Sequence, residues 1–334
     1  MFGTWRWFLA ILVVVGHLYH PWWPASFGVF SFYILSGFLM TVIINEHYGY
    51  SLSGFKGFWI NRFLRLYPSY FLACLISMAV IISIPSEFVT NLNNKMILPN
   101  SAVEVLTNIT ILGLQEIPDK SSLVPPAWAL SIEIVYYLVI SLWAGRSQSN
   151  ALLFLLLSIT YLAAVYILKD FNWRYRYYHV GAGSLPFAVG TNIYFLRNQF
   201  KKYINYISWP NAFFISIAIY ASVFAAAIMA GQTRTTFFYL NILSSSLLLL
   251  VLWNSPAISF KKIDSFLGDL SYPTYLIHWQ IAIFITYFTG LSFKGWKLLI
   301  VTTLIVTSLS IFDARTVSGP IEQYRKNIKR SLSG

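Results

Sequence analysis

The stretch WRWFLAILVVVGHLYH, residues 5–20, is a hydrophobic run of the kind that crosses a membrane. A transmembrane helix needs about 20 predominantly apolar residues. The run nevertheless contains Arg6, His17 and His20. Ionisable side chains inside a membrane are costly and usually face a cavity or a partner. The stretch therefore predicts a membrane helix that contributes to a functional site.

The composition extends this prediction to the whole chain. Of its 334 residues, 57% are hydrophobic and 10% are charged, whereas about a quarter are charged in a soluble domain. The mean hydropathy is +0.64. We therefore predict an all-α, polytopic integral membrane protein. The single cysteine, Cys74, has no partner for an intrachain disulfide, and no histidine or cysteine spacing indicates a metal site.

The net charge of +12 is distributed between the apolar segments and does not form one basic patch. Such a distribution is typical of a membrane topology signal, so the expected partner of these charges is the lipid bilayer and not nucleic acid. No internal repeat is visible, and we predict a single domain over residues 1–334.

Ten segments are apolar and long enough to be candidate membrane helices. Gly181, Gly183, Pro186 and Gly190 predict a kink or a break in the sixth segment. The first segment lacks a small-residue cleavage pattern, and we expect it to be retained. The ten candidates are residues 5–23, 26–45, 67–84, 128–144, 151–168, 180–196, 210–230, 236–253, 267–289 and 296–312.

Lysine and arginine are more frequent in one alternating set of connections than in the other. The positive-inside rule then places both termini in the cytoplasm. This topology predicts that residues 313–334 form a basic cytoplasmic tail and that the long connection of residues 85–127 faces outward. The basic connection around Arg174 is an exception that this topology does not explain.

Arg6 and His17 lie on one face of the first helix. They are eleven residues apart, which separates them by about 20° around the axis and roughly 16 Å along it. His20 lies within about 60° of His17 on the same helix face. The alternative for each residue alone is structural: Arg6 snorkels to lipid headgroups, and His17 makes a buried hydrogen bond.

A carboxylate in the fourth span is the predicted partner of this histidine. Glu133, in WALSIEIVYY, is about five residues into a helix that enters from the outer side, so it lies roughly 7 Å deep, at a level that His17 also reaches. The alternative is a structural acid bonded to a tyrosine hydroxyl. Tyr275 and His278, in LSYPTYLIHWQ, share a face of the ninth span and either support the site or bond to each other in the core.

Two further motifs bear on the site. Ser36 and Gly37, in FSFYILSGFLM, allow a neighbouring helix or a ligand to approach closely. Arg62 and Arg65, in NRFLRLYP, share a helix face, and their planar guanidinium groups suit phosphate oxygens. Residues 54–66 predict an amphipathic segment at the cytoplasmic interface, where lipid headgroups are the alternative ligand.

Taken in order, the Arg6 to His17 spacing and the motifs FSFYILSGFLM, RFLRLYP, WALSIEIVYY and SYPTYLIHW resemble the signature series of the membrane-bound acyltransferase family 3. The resemblance covers nearly the whole chain. It implies a bacterial cytoplasmic (inner) membrane enzyme that moves an acyl group, usually acetyl from cytoplasmic acetyl-CoA, to a hydroxyl of a glycan or glycolipid at the outer face. It also implies the stand-alone form, without an extracytoplasmic hydrolase-like domain, and polysaccharide assembly proteins as further partners.

Carried over by motif, His17 corresponds to the family's essential histidine and Arg6 to the arginine associated with it. Arg62 and Arg65 correspond to the pair that holds the acyl donor, and Glu133 to an acidic residue of the fourth helix. Our hypothesis is that the arginines bind the phosphates of CoA while His17, supported by Glu133, acts as general base. Direct transfer and an acyl-histidine intermediate both remain open, and so does the oxyanion donor: Tyr275, His278 or a backbone amide.

Two other functions fit the composition. A transporter or flippase would use Arg6, His17, Glu133 and His278 as a proton relay. A non-catalytic scaffold of a polysaccharide assembly complex is the third. Several costly polar groups at compatible depths argue against the scaffold, and the motif series favours the enzyme.

Overall fold

A computed structural model describes residues 1–19, 25–115, 121–256 and 260–333, with the side chains of residue 205 and of residues 326–333 left aside. Within these ranges the regular structure is entirely helical, as the sequence predicts. Ten long helices form the body of the protein: α1 Phe2–Leu18, α2 Ala25–Ile43, α3 Leu52–Ser83, α6 Trp128–Val139, α7 Gln148–Leu168, α9 Ser184–Ile207, α10 Trp209–Met229, α11 Thr236–Trp253, α12 Lys261–Thr289 and α13 Trp296–Thr316.

Shorter elements connect and extend these helices. Two π-helical turns prolong α2 and α6, at Ile44–Tyr48 and Ile140–Ala144, and two 3₁₀ turns precede α6 and α9, at Pro125–Ala127 and Val180–Gly183. The remaining helices are α4 Ser86–Leu92, α5 Ala102–Thr110, α8 Trp173–Tyr177 and the C-terminal α14 Ser318–Ser333.

Seven helices of the described chain are long and apolar enough to cross a membrane. They comprise α2, α3, α6, α7, α10, α11 and α13, with the short turns that extend α2 and α6. The first helix, α1, is apolar but only 17 residues long. Together with α9 and α12 these helices correspond to the ten predicted segments, and the predicted all-α, polytopic membrane fold is confirmed.

The third span begins fifteen residues before its predicted start. Residues 54–66 are not a separate interfacial segment, because α3 runs without interruption from Leu52 to Ser83 and contains Pro68. Ser51 starts this helix by accepting a hydrogen bond from the Gly54 amide through its side chain. As a result, the arginines of this stretch belong to the helix bundle and not to a surface element.

The predicted break in the sixth span lies at its start. The 3₁₀ turn Val180–Gly183 leads into α9, which then continues through Pro186 and Gly190. Gly190 is needed for close packing, since a Cβ atom there would lie 2.1 Å from the Ile34 carbonyl oxygen on α2. Gly37 has the same function in the opposite direction, with 2.4 Å to the Phe187 oxygen. The two glycines let α2 and α9 approach backbone to backbone.

α1 lies at the centre of the site because it packs along α12 and beside α2. Its N-terminal end is attached to the start of α12: the Thr4 amide and hydroxyl both donate to Oδ1 of Asp264, each at 2.8 Å. α3 also packs against α12. This arrangement brings residues from α1, α2, α3, α6 and α12 to one interior region.

The predicted basic tail is an ordered part of the fold. Residues 318–333 form α14, which packs against α3 and α13. The long connection between α3 and α6 also folds on the protein: the Asn108 side chain on α5 donates to the Ser121 carbonyl and accepts from the Leu123 amide. Residues of the long connection line one of the two cavities described next, whereas α14 packs against α3, which lines the other.

Candidate active site

An inner cavity of about 690 Å³, including its open mouth, lies among α1, α2, α3, α6 and α12. Three of its lining residues are arginines, and one is a glutamate. The remaining lining is aromatic, aliphatic and hydroxyl-bearing. The residues that carry the chemistry of this cavity are Arg6, Ser36, Arg62, Arg65, Glu133, Tyr137 and Tyr275. The fold thus brings together the three arginines that the sequence predicts to bind the acyl donor.

Arg62 is the most deeply buried of these arginines, with 7% of its surface exposed. Its Nη2 donates to Oδ1 of Asn61 at 2.8 Å, while its buried Nε has no hydrogen-bond partner among the described residues. Arg65 lies on the same helix, and its Nη1 is 3.7 Å from Oδ1 of Asp269. A buried guanidinium with an unused donor is suited to an anionic ligand, because an unpaired buried charge is unfavourable.

Glu133 belongs to the inner cavity and not to His17. Its Oε1 accepts from the Ser36 hydroxyl at 2.6 Å and from the Tyr137 hydroxyl one helical turn away. The hydrogen bond of the His17 ring is made with His278 instead. The prediction that Glu133 orients His17 is therefore wrong, because α6 presents the carboxylate to the arginine-lined cavity, where the tyrosine contact considered as its alternative is present.

His17 lines a second, wider cavity of about 1320 Å³, called the outer cleft. Aromatic, amide and basic side chains surround it, several from the long connection that is predicted to face outward. Its principal lining residues are His17, Asn91, Asn93, Asn94, Lys95, Gln115, Trp128, Arg174, Tyr178 and Trp279. Arg6 and His17, which share one face of α1, thus line two different cavities. Arg174, whose position in an outward-facing connection the predicted topology does not explain, lines this cleft.

His17 is paired with His278 across the α1–α12 interface. Nδ1 of His17 is 2.8 Å from Nε2 of His278, and the two rings are stacked with centroids 5.1 Å apart. His278 is fully buried, and its Nδ1 lies 2.8 Å from the Tyr275 carbonyl oxygen. His17 is half-buried and borders the cleft.

These contacts determine the tautomers of a neutral histidine pair. A carbonyl oxygen only accepts, so the Nδ1 of His278 carries the proton and its Nε2 is an acceptor. His17 must then donate from Nδ1, which leaves its Nε2 with a free lone pair. Nε2 of His17 is therefore the ring nitrogen able to remove a proton from a ligand. The hydrogen bonds of His278 therefore fix the orientation and tautomer of the neutral His17 ring.

A tyrosine separates the two cavities. Tyr275 lines the inner cavity, and its hydroxyl donates to the Pro126 carbonyl oxygen at 2.9 Å. Pro126 lines the outer cleft. Among the described residues none lines both spaces. The Tyr275–Pro126 contact thus lies between the arginine-lined cavity and the cleft that His17 lines.

The structure places most predicted site residues in one of these two spaces, while His20 lies outside the described residues. Sequence reasoning missed Asn61 and Arg325. Oδ1 of Asn61 accepts from Arg62 and also from Arg325 of α14, at 2.9 Å from Nη2. The position of Asn61 directly before Arg62 is the available signal. In the described ranges no three His, Cys, Asp or Glu side chains cluster as a metal site.

This fold and site define a class: a polytopic membrane protein with a cationic inner cavity and a histidine-bearing outer cleft. A family model described as "Acyltransferase domain", that of acyltransferase family 3, matches residues 3–312. The chain belongs to this family, and the predicted resemblance is confirmed. The match includes every predicted site residue.

Two curated proteins are similar over parts of the chain. The peptidoglycan O-acetyltransferase OatA of Listeria monocytogenes is 28% identical over 138 residues, which are 39% of this chain and 22% of that protein. The putative peptidoglycan O-acetyltransferase YrhL of Bacillus subtilis is 38% identical over 69 residues, 20% of this chain and 11% of that protein. The chain thus matches less than a quarter of either relative. No solved structure is significantly similar to it.

Proposed function

We propose that the protein is a membrane O-acyltransferase that moves an acyl group, acetyl in the first instance, from cytoplasmic acyl-CoA to a hydroxyl of a glycan or glycolipid at the outer side of the bacterial cytoplasmic membrane. One observation carries the proposal: a single helix, α1, contributes Arg6 to a cationic cavity and His17 to a separate cleft. Membership of acyltransferase family 3 and the names of the two relatives support it.

The inner cavity is the proposed donor site. CoA carries phosphate groups, and arginine binds phosphate through paired, charge-assisted hydrogen bonds. Arg62 has an unused buried donor, and Arg6 and Arg65 line the same space. Glu133 holds Ser36 and Tyr137 in place, and its negative charge beside three arginines limits their mutual repulsion in the absence of donor.

The outer cleft is the proposed acceptor site. Aromatic rings such as Trp128 and Trp279 offer flat surfaces to sugar rings, and asparagine side chains both donate to and accept from sugar hydroxyls. Peptidoglycan in the names of the relatives is the reason to begin with a polysaccharide acceptor.

His17 is the proposed general base. Its Nε2 takes the proton from the acceptor hydroxyl as the hydroxyl oxygen attacks the thioester carbonyl carbon. The new ester forms, the carbon–sulfur bond breaks, and the proton passes from His17 to the departing CoA sulfur. His278 keeps His17 in the required tautomer throughout. The thioester reaches His17 when the Tyr275–Pro126 contact opens.

Release of free CoA by the purified protein in lipid tests this function. Wild type and His17→Ala are compared with acetyl-CoA and other acyl-CoA donors, with and without a crude glycan acceptor. We expect release that requires His17 and increases with acceptor. Well-folded wild type that releases no CoA from any donor would reject the proposal and favour the transporter.

A further inference from the structure

The C-terminal helix α14 reaches the arginine cluster although it lies beyond the residues matched by the family model. Nε and Nη2 of Arg325 lie 3.2 and 2.9 Å from Oδ1 of Asn61. The same oxygen accepts from Nη2 of Arg62 at 2.8 Å. One neutral amide oxygen therefore joins an arginine of α14 to an arginine that lines the inner cavity.

This contact holds two cations close together. The nitrogens at 2.8 and 2.9 Å from one oxygen lie at most 5.7 Å apart. Like charges at this distance repel, and the repulsion is stronger where water is partly excluded. Burial, followed by the charges of Arg62 and Arg65, lowers the pKa of Arg325 to about 10. The guanidinium still remains charged at neutral pH.

The carboxylates nearby leave part of this charge uncompensated. Arg325 also contacts Glu322, one turn earlier on α14. Within the described chain no carboxylate lies within ion-pair distance of Arg62, and its Nε is buried without a hydrogen-bond partner. An anion with several oxygens would relieve the repulsion and satisfy that donor.

We propose that Arg325 forms, with Arg62, a site for the nucleotide phosphates of the acyl donor, and that α14 is the cytoplasmic wall of this site. The inference rests on the proposed function, because it takes acyl-CoA as the donor. It gives the basic C-terminal segment a role in binding: α14 packs against α3 and holds the guanidinium group of Arg325 on the same Asn61 oxygen as Arg62, which lines the inner cavity. The pantetheine arm then extends into the cavity toward Tyr275.

Donors with and without these phosphates test the site. Steady-state KM and kcat are measured for acetyl-CoA and for acetyl-pantetheine, which lacks the nucleotide, with wild type, Arg325→Ala and Arg325→Lys in the full chain. We expect Arg325→Ala to raise the KM for acetyl-CoA about tenfold or more, because hydrogen bonds between charged groups are lost. Arg325→Lys recovers part of the loss, and the KM for acetyl-pantetheine stays at the wild-type value.

Arg315→Ala is the matched control, because Arg315 is an exposed arginine at the end of α13. It should leave both KM values unchanged. An equal rise of KM for both donors in Arg325→Ala would overturn the proposal in favour of a packing role, and so would an unchanged KM for acetyl-CoA.

A binding measurement separates this inference from the proposed function. Adenosine 3′,5′-bisphosphate, the nucleotide part of CoA, is titrated into the full-length protein in lipid by calorimetry. We expect binding to wild type that weakens about tenfold in Arg325→Ala. If wild type binds this probe but transfers no acyl group, the phosphate site stands and the transferase fails. If the probe binds wild type and Arg325→Ala equally, the phosphate site is wrong whatever the activity.

Discussion

Replacing His278 tests whether the histidine pair sets the reactive tautomer. His278→Ala removes the acceptor of the His17 Nδ1 hydrogen bond, which is 2.8 Å long in the structure. His278→Gln returns an acceptor, since an amide oxygen can take the place of the ring nitrogen. His278 itself contacts the α12 backbone and the His17 ring, so its loss acts on catalysis through His17.

The magnitude follows from the lost hydrogen bond. A polar group left unpaired in a half-buried position costs about 1–3 kcal/mol. His17 can avoid this cost by moving its proton to Nε2. The tautomer whose Nε2 is free to accept a proton is then less stable than the other tautomer by about this free energy, and its population falls accordingly. Since about 1.4 kcal/mol is a factor of ten, kcat should fall about 5- to 150-fold in His278→Ala. Loss of the general base itself in His17→Ala should cost about 10²- to 10⁴-fold.

Initial rates of CoA release with saturating acetyl-CoA and glycan give kcat, and thermal unfolding in detergent shows whether each variant is folded. The expected order of kcat is wild type, His278→Gln, His278→Ala and then His17→Ala. A folded His278→Ala with kcat within twofold of wild type would refute the role of the pair. So would a His278→Gln variant that is as slow as His278→Ala while His17→Ala retains activity.

Three further outcomes are expected. Tyr275→Phe should increase CoA release in the absence of acceptor several-fold, because it removes the hydroxyl that donates to the Pro126 carbonyl between the two cavities. Tyr33→Phe removes a similar hydrogen bond from a tyrosine of the same cavity and should not increase this release. An equal increase in both variants would contradict the proposed role of the Tyr275–Pro126 contact. Gly37→Ala should lower the unfolding free energy by about 1–3 kcal/mol, because its Cβ meets main chain at 2.4 Å; an unchanged melting temperature would exclude this packing. Burial opposes ionisation of Asp264, which lies before the predicted span, but hydrogen bonds from Thr4, Gly3 and the N-terminal ammonium group together outweigh burial and lower the pKa of the carboxyl below its usual value of 3.8. The contribution of the Asp264 carboxylate to stability is therefore complete above pH 3.8 and is lost as the pH falls through the lower pKa of the folded state. The melting temperature should consequently fall less at acid pH in Asp264→Asn than in wild type. An equal fall would count against the contact between Asp264 and Thr4.

The helices were predictable because a membrane requires long apolar segments, and each of the ten predicted segments overlaps a long helix of the fold. Boundaries were less predictable where polar residues enter a helix. The basic and aromatic stretch before Pro68 has the composition of an interfacial segment, yet it continues into α3 because α12 and α14 pack against it. Tertiary packing, absent from composition, buries Arg62 in this stretch.

The residues of the site were predictable, but their partners were not. Depth along a helix placed Glu133 and His17 at compatible levels, and depth alone does not determine which way a side chain points around the bundle. The rotation of α6 presents Glu133 to Ser36, and the α1–α12 contact gives His17 the second histidine instead. Asn61 and Arg325 were missed because a contact across 264 residues leaves no local pattern.

In the proposed mechanism, α1 connects a donor site on one side of the membrane to an acceptor site on the other. The most direct measurement uses sealed proteoliposomes with acetyl-labelled acetyl-CoA supplied only to the side of Arg62 and glycan enclosed on the side of His17. We predict labelled glycan inside the vesicles with wild type and none with His17→Ala. Label that reaches glycan only when donor and glycan share one side, or that transfers equally without His17, would contradict transfer across the membrane through α1.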